Sequence, residues 1–282
     1  MILGLDFGMT NLDGVLLQAG RLQRGWRMDC TGASLEATRA ALGVGGIDLA
    51  QIQAIGTTGG RHKELPATYK DIPIIKVGEA DAVGRGGLQM AGLTEALVVS
   101  AGTGTAMIAA RGTHCQHVTG SAVGGGTLLG LAKLCLGTAD PLEIAALAAQ
   151  GDPSHVDGTL EDVIGGGIGS LPADATAVNL GRIVKLSDKP SREDLAAGLV
   201  TLVAQVIAVI ALNAAKANGL ERIVIVGHLP DLEPIRTAIE RVWGFYGLSS
   251  PAIIPADRGY ATALGAALVA QDRSQQMDII KP

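Results

Sequence analysis

Short apolar runs alternate with turn residues along the first third of the chain, which predicts strands and helices joined by tight turns. Strands are expected over residues 2–5, 12–18, 21–28, 52–55 and 71–77. A helix is expected over 35–42, and a second begins at Gly78 and ends near Gly92. Three strands followed by alternating helices and strands are typical of a mixed α/β sheet.

The same order of elements then begins again. Strands are predicted over 96–100, 105–111, 114–119, 221–226 and 252–254, and helices from Thr127, from Pro141, over 191–218, 231–246 and 259–270. Ser191 is a predicted N-cap, with Asp194 as the acidic partner of a capping box. We therefore expect two α/β subdomains, over 1–94 and 95–271, and a polar tail over 272–282 that is disordered at its end.

Two glycine-rich stretches suggest a phosphate site. Gly102, Thr103, Gly104 and Thr105 form a turn between two predicted strands, and Gly124–Gly126 precede a helix. Glycine lets backbone N–H groups approach a ligand, and a helix N-terminus favours anions. The alternative is a hairpin and a loop without a ligand. A comparable turn in the first half, Asp6 to Thr10, predicts a cleft between two facing turns.

Composition excludes several classes of function. Of 282 residues, 48% are hydrophobic and 17% charged, so a folded core is expected. Aromatic residues make up 2% and the net charge is −5, which disfavours nucleic acid as a partner. Cys30, Cys115 and Cys135 show neither disulfide nor zinc spacing. His114 and His117 point to opposite faces of an extended strand, which disfavours a metal site there.

Localisation signals are weak. The N-terminus lacks the basic region of a secretory signal and enters a strand pattern directly. Residues 195–215 have the length of a membrane span but contain Gly198, Thr201, Gln205 and Asn213. A buried core or dimer helix is the favoured interpretation. We therefore expect a cytoplasmic protein without a membrane partner.

The second half resembles the type II (eukaryote-like) pantothenate kinases of the acetate kinase, sugar kinase, Hsp70 and actin superfamily. The resemblance rests on the second turn, on residues 118–121 and 124–131, on the block from Gly151 to Gly181, and on Gly227 with residues 263–268. It implies duplicated ribonuclease-H-like (actin-like ATPase) domains around a central cleft. It also implies ATP and Mg²⁺ as cofactors, and a homodimer formed through the long helix from Ser191.

The resemblance assigns roles residue by residue. Glu79 matches the general base that acts on the hydroxyl of pantothenate, and Asp6 matches the aspartate that helps to hold Mg²⁺. Nucleotide-binding positions are Gly8, Thr10, Gly102, Thr103, Gly104, Gly124, Gly125, Gly126, Gly227 and His228. Substrate-binding positions are Thr105, His117 and Ser121. From the residues alone, Glu79 is equally an acid in a helix first turn and Asp6 a turn aspartate.

Two positions depart from the family pattern. Asp13 stands where the family has a lysine that reaches the nucleotide phosphates, and His117 stands where it has a substrate-binding arginine. Histidine does not form the bidentate clamp on a carboxylate that arginine forms. Lys76, Arg85 and Lys133 are candidate replacements for the missing charge. The pattern ending in Asp13 is also similar to the first hairpin of hydantoinase-type ATPases.

The sequence therefore predicts an ATP-dependent kinase that phosphorylates pantothenate or a related hydroxyl acceptor in coenzyme A biosynthesis. Two alternatives stay open. One is an ATPase of the same superfamily that acts on a protein partner. The other is a weakly catalytic regulator that binds a nucleotide or an acyl-CoA.

Overall fold

The first half of the chain forms a six-stranded sheet in the order β3-β2-β1-β4-β6-β5. The computed structural model describes residues 1–246 and 252–280, the side chains of 277–280 excepted. The strands are β1 Ile2–Phe7, β2 Asn11–Gln18, β3 Arg21–Asp29, β4 Ala54–Gly59, β5 Thr68–Tyr69 and β6 Ile72–Lys76. Strands β1 to β3 are antiparallel, and β4 and β6 continue the sheet in parallel with β1.

The second half repeats this arrangement. Its main sheet has the order β12-β7-β8-β9, formed by β7 Glu95–Ala101, β8 Thr105–Arg111, β9 His114–Ser121 and β12 Ile223–Val226. Strand β12 pairs in parallel with β7, as β4 pairs with β1. A small separate sheet contains β10 Gly158–Thr159 and β11 Thr176–Val178. The common strand order confirms the predicted duplicated α/β fold.

Eight α-helices pack around these sheets in the described part of the chain. They are α1 Leu35–Gly45, α2 Glu79–Ala91, α3 Gly125–Leu136, α4 Pro141–Ala148, α5 Leu160–Ile164, α6 Arg192–Ala217, α7 Glu233–Phe245 and α8 Ala261–Ile280. The amphipathic α1 covers one face of the first sheet. Helices α3, α4, α6 and α7 share a core with the second sheet, built largely from Ala, Val, Leu and Ile.

Helices α2 and α8 join the two halves. They cross so closely that a Cβ on Gly86 would lie 1.8 Å from the carbonyl oxygen of Ala261, and one on Gly265 would lie 1.7 Å from that of Ala82. Glycine at the crossing allows this approach. Helix α8 packs on β1 and β4, whereas α2 also packs on the second sheet. The crossing therefore fixes the floor of the cleft and places the start of α2 beside the first sheet.

Helix α6 is the predicted long helix. Ser191 caps it by accepting a hydrogen bond from the backbone N–H of Asp194. The expected capping box is wrong in one part, because the Asp194 carboxylate accepts from the backbone N–H of Asp152 and contacts His155. Helix α6 is long and apolar enough to cross a membrane, but 61% of its apolar 18-residue stretch is buried inside the fold.

The predicted tail is wrong over residues 272–280, because they continue helix α8. Side chains anchor this extension: Arg85 of α2 lies 2.9 Å from the Asp272 carboxylate, and Arg273 donates a hydrogen bond to the carbonyl of Lys76.

Helix α8 packs on the first sheet although the predicted division at residue 94 assigns it to the second half. The predicted strand over 252–254 is one bridge, between Ile253 and Val224. Residues 281–282 lie outside the described residues.

Candidate active site

Four side chains form a row across the first sheet, near the carboxyl end of β1. The strand registers pair Asp6 of β1 with Thr58 of β4 and with Asp13 of β2, and Asp13 with Arg27 of β3. Paired residues on neighbouring strands project from the same face of a sheet. We call Arg27, Asp13, Asp6 and Thr58 the transverse row. The row faces the cleft. Gly4 and Gly56 lie on the same face of the sheet and contact α8, which forms part of the floor of the cleft.

Asp6 lies at the electrostatic centre of this row. Burial, and after it the carboxylates of Asp13 and Glu79, together raise its pKa from 3.8 to about 7. Glu79 is the exposed first residue of α2 and approaches the row from the floor of the cleft. On the other side of Asp6, the hydroxyl of Thr58 is buried without a hydrogen-bond partner. Asp6 and Glu79, the two candidates with assigned chemistry, are thus brought together.

Asp13 belongs to a set of ion pairs that crosses the cleft. Its Oδ1 lies 3.2 Å from Nε of Arg27, and its Oδ2 lies 3.0 Å from Nε2 of His228 in the second half. His228 also contacts Arg27, and its Nδ1 lies 3.1 Å from the carboxylate of Asp231. Asp231 in turn lies 2.7 Å from Arg258. We call Arg27, Asp13, His228, Asp231 and Arg258 the cross-cleft network.

The network sets the charge of its members. Burial lowers the pKa of His228, but hydrogen bonds to Asp13 and Asp231 outweigh burial and raise that pKa above its ordinary value. Burial raises the pKa of Asp231, but contacts with His228 and Arg258 outweigh it and lower the pKa. Asp13 therefore lies between the guanidinium of Arg27 and the imidazole of His228, whose raised pKa favours the cationic form.

The second hairpin is held by backbone hydrogen bonds. The N–H of Gly102 donates to the carbonyl of Gly104, and the N–H groups of Gly125 and Gly126 donate to the carbonyls of Gly102 and Thr103 at 2.8 and 2.9 Å. A Cβ on Gly124 would lie 2.7 Å from the carbonyl oxygen of Thr103. The expectation of free donors at this helix start is therefore wrong for Gly125 and Gly126, whose N–H groups bind the hairpin itself.

Two of the predicted substrate residues support the same loop. The Thr105 hydroxyl donates a hydrogen bond to the carbonyl of Val123, and the Ser121 hydroxyl accepts one from the N–H of Val123. His117 is exposed on β9, and within the described residues its side chain makes no hydrogen bond or ion pair. The structure thus assigns Thr105 and Ser121 structural contacts and leaves His117 free.

The remaining predicted nucleotide residues lie at the turns around the cleft. Gly8 and Thr10 lie in the turn between β1 and β2, where Thr10 is exposed. Gly227 has a φ of 94°, and a Cβ there would lie 2.4 Å from the carbonyl oxygen of Ala101 in the second hairpin. The side chain of His228 points away from this hairpin towards Asp13.

Two of the three candidate replacement cations are engaged elsewhere, and the third, Lys133, is exposed on α3. Arg85 pairs with Asp272, and Nζ of Lys76 donates a hydrogen bond to the carbonyl of Lys63. Sequence reasoning missed Arg27, which the register of β2 and β3 brings to Asp13. A cavity of about 530 Å³ between α4, α6 and α7 contains none of the predicted site residues.

Solved structures share this fold. The activator of the 2-hydroxyisocaproyl-CoA dehydratase from Clostridium difficile with bound ADPNP has a TM-score of 0.68 and 20% identity, covering 100% of this chain and 98% of that one. A ROK family glucokinase from Streptomyces griseus in complex with glucose and AMPPNP has a TM-score of 0.59 and 17% identity, covering 96% and 99%. At these identities the likeness shows the fold alone, which is that of the actin-like ATPases.

Sequence comparisons identify the family. The type II pantothenate kinase of Bacillus cereus (strain G9842) is 27% identical over 186 residues, covering 62% of this chain and 67% of the relative. Pantothenate kinase 1 of Oryza sativa subsp. japonica is 35% identical over 156 residues, covering 51% of this chain and 23% of that protein. The model of the Fumble family matches residues 90–269. This match spans well over half of the sequence, and the chain therefore belongs to the Fumble family.

Proposed function

We propose that this protein is an ATP-dependent kinase that transfers a phosphoryl group to a hydroxyl of pantothenate or a closely related acceptor, in coenzyme A biosynthesis. Membership of the Fumble family and the names of its relatives support the reaction class. The observation that carries the proposal is the approach of Glu79 to Asp6 in the cleft between the two hairpins. Both residues precede the region that the family model matches, so their roles rest on their geometry and on the sequence pattern.

Glu79 is suited to the role of general base. It is exposed at the N-terminus of α2 and does not pair with a cation in the described residues, so its carboxylate is available to an acceptor hydroxyl. A positioned base contributes about 10²–10⁴-fold to proton transfer. The rest of phosphoryl transfer depends on alignment and on neutralised charge. The two hairpin turns, on opposite sides of the cleft, are placed to supply that alignment.

Asp6 fits a hydrated Mg²⁺. Its raised pKa reports an unbalanced carboxylate next to Asp13 and Glu79, and the buried Thr58 hydroxyl beside it has no partner. Among the described residues no group of three or more His, Cys, Asp or Glu is placed to hold a metal alone. Mg²⁺ usually takes one or two carboxylates, with water and substrate phosphates completing its shell. When bound, the ion neutralises phosphate charge; Asp6 and Thr58 would hold and orient it.

The two departures from the family pattern have different consequences. Asp13 is paired with Arg27 and hydrogen-bonded to His228, so its carboxylate does not stand unpaired against a polyphosphate. His117 is exposed and unengaged, which makes it available to an acceptor without the clamp of an arginine. We therefore include pantetheine and other pantothenate-like alcohols among the acceptors.

The decisive experiment measures ADP release by the purified protein with ATP and Mg²⁺, with pantothenate, with pantetheine and without an acceptor. We expect acceptor-dependent ADP release, and a loss of about 10²–10⁴-fold in Glu79→Gln because the general base is removed. Glu36→Gln is the matched control, since Glu36 is an exposed acid in the first turn of α1, away from the cleft. Absence of turnover on every acceptor would contradict the kinase proposal.

The same assay separates the two alternatives. ADP release that needs no acceptor would favour an ATPase acting on a protein partner, and tight nucleotide or CoA binding without turnover would favour a regulator.

The proposal also includes a homodimer and a cytoplasmic location. A stripe of partly exposed residues remains on α6 for a dimer contact: Leu202, Val206, Val209 and Ile210.

A further inference from the structure

We propose that Arg27, held in place by Asp13, contributes its guanidinium group to the binding of the nucleotide polyphosphate. The inference rests on the proposed function, because it needs a nucleotide in the cleft. It assigns to β3, an edge strand outside both hairpin turns, a binding residue that sequence reasoning did not single out.

The position of Arg27 is fixed from two sides. The strand register places it directly opposite Asp13, whose side chain is only 8% exposed, and its Nε lies 3.2 Å from Oδ1 of that carboxylate. Arg27 belongs to the transverse row, so it lies on the cleft face together with Asp6. A buried carboxylate that accepts from Nε restricts the rotation of the arginine. The terminal Nη2 contacts His228, which leaves the N–H groups of Nη1 for another partner.

The guanidinium remains accessible. The side chain of Arg27 is 37% exposed, whereas that of Arg258 at the other end of the network is 18% exposed and pairs with Asp231. Arg27 lies two residues before Asp29, and Asp29 pairs with Asn11 at the start of β2, next to the first hairpin turn. Its planar fork of donors matches the oxygen atoms of a phosphate. Position and chemistry therefore agree with a polyphosphate as the ligand.

The charges of the network do not oppose an anion. Two guanidinium groups, Arg27 and Arg258, balance the two carboxylates of Asp13 and Asp231, and His228 lies between those carboxylates. A polyphosphate near Arg27 therefore meets an arginine without an excess of negative charge behind it. The imidazole of His228 is confined as well, because Gly259 leaves room for it: a Cβ there would lie 1.8 Å from Cε1 of His228.

The competing explanation is that the network is a clamp that only holds the two halves together. In that case ATP would displace or ignore Arg27, and removing the guanidinium would leave ATP affinity unchanged or raise it. The two explanations thus predict opposite responses of nucleotide affinity to the same substitution.

Calorimetric titration of the full chain with ATP, ADP and adenosine in the presence of Mg²⁺ tests the proposal. We expect Arg27→Gln to weaken ATP binding by about tenfold to a hundredfold, because a charge-assisted hydrogen bond is lost, and to leave adenosine binding within about twofold. Arg24→Gln is the matched control: Arg24 is on the same strand, opposite Leu16, and its guanidinium lies beside Gly46, the residue that follows α1. We expect it to change no affinity by more than about twofold.

Arg27→Lys keeps a cation beside Asp13. It provides a second test if the glutamine variant does not fold. It should weaken ATP binding by less than Arg27→Gln does, because charge is kept and the fork is lost. Unchanged or tighter ATP binding in both variants would overturn the proposal. The readout needs no acceptor, so a protein that binds ATP through Arg27 without phosphorylating pantothenate would contradict the proposed function alone.

Discussion

The two hairpins that face the cleft have the same strand order and opposite chemistry. The first, β1–β2, carries two carboxylates, Asp6 and Asp13, directly opposite each other. At the equivalent place the second, β7–β8, pairs Ser100 with Ala106. The turn of the second hairpin is tied by backbone hydrogen bonds to the start of α3. One hairpin therefore supplies charge, and the other supplies a rigid backbone.

This difference explains why glycine has different functions in the two halves. In the second half, Gly124 lies so close to Thr103 and Gly104, and Gly126 so close to Thr103, that an added Cβ would collide with them. In the first half, Gly59 lies beside Asp6, where a Cβ would be 2.6 Å from its carboxylate. Glycine packs the second hairpin against its own helix, whereas in the first half it makes room for a charged group. Substitutions in the two hairpins should therefore fail in different ways.

The largest expected effect is that of Asp6→Asn on catalysis. The amide keeps the shape of the side chain but removes the negative charge proposed to hold Mg²⁺. We expect turnover to fall by at least about a hundredfold, because charge stabilisation by a metal ion is worth several kcal/mol in the transition state. Steady-state assays over a range of Mg²⁺ concentrations check this. Unchanged turnover at every Mg²⁺ concentration would remove Asp6 from the mechanism.

The same variant should be more stable than wild type above neutral pH. The pKa of Asp6 is about 7 in the folded protein, against an ordinary value of 3.8, so between these values the folded state binds more protons than the unfolded state. Wild-type stability therefore falls as the pH rises through 7. Without Mg²⁺ and nucleotide, Asp6→Asn should gain about 1–3 kcal/mol at pH 8 and least near pH 4. Urea unfolding at both pH values measures the difference, and equal gains at both would contradict the raised pKa.

At the start of α3, where it packs against the second hairpin, we expect a loss of stability from Gly124→Ala. The new methyl group would lie 2.7 to 2.9 Å from backbone atoms of Thr103 and Gly104, which cannot move without opening the turn. Overpacking of this kind costs about 1–3 kcal/mol. Gly130→Ala, in the same helix with no atom within 4 Å of the added carbon, should instead stabilise by about 0.5–1 kcal/mol. Denaturant unfolding of the pair checks the opposite signs.

The smallest expected loss of stability is that of Thr105→Val. It removes the hydroxyl that donates to the carbonyl of Val123 and keeps the buried shape. We expect a loss of about 1 kcal/mol in the free energy of unfolding, the net value of one such hydrogen bond. Thr105→Ser keeps the donor and should lose less than Thr105→Val does. If the valine variant lost acceptor binding with unchanged stability, Thr105 would be a substrate residue rather than a support of the loop.

The sequence predicted the elements of the fold and missed details that depend on register. Apolar runs and turn residues placed most strands and helices within a few residues. The pairing of Asp13 with Arg27 depends on a β-bulge: Leu17 pairs with Leu22 but Leu16 pairs with Arg24. Without that extra residue, Trp26 would lie opposite Asp13. No local sequence pattern in β3 predicts the bulge, so the sequence did not identify Arg27 as the partner of Asp13.

Other misses have the same origin in tertiary contacts. The donors of Gly125 and Gly126 looked free because the sequence does not reveal that the second hairpin lies against them. The polar end of α8 looked disordered because its partner, Arg85, is almost 190 residues away in the chain. The roles of Asp6 and Glu79, in contrast, were predicted from the family resemblance and stay predictions; the structure brings both residues to the carboxyl edge of the first sheet.

The central claim is that the charged first hairpin and the rigid second hairpin together direct a phosphoryl group to an alcohol. One experiment tests it directly. Phosphorus NMR of the purified protein with ATP, Mg²⁺ and pantothenate follows the γ-phosphate itself. We expect a new phosphate monoester that appears in equal amount with ADP, and that Glu79→Gln forms about 10²–10⁴-fold more slowly. ADP accompanied only by inorganic phosphate, at a rate independent of pantothenate and of related alcohols, would contradict it.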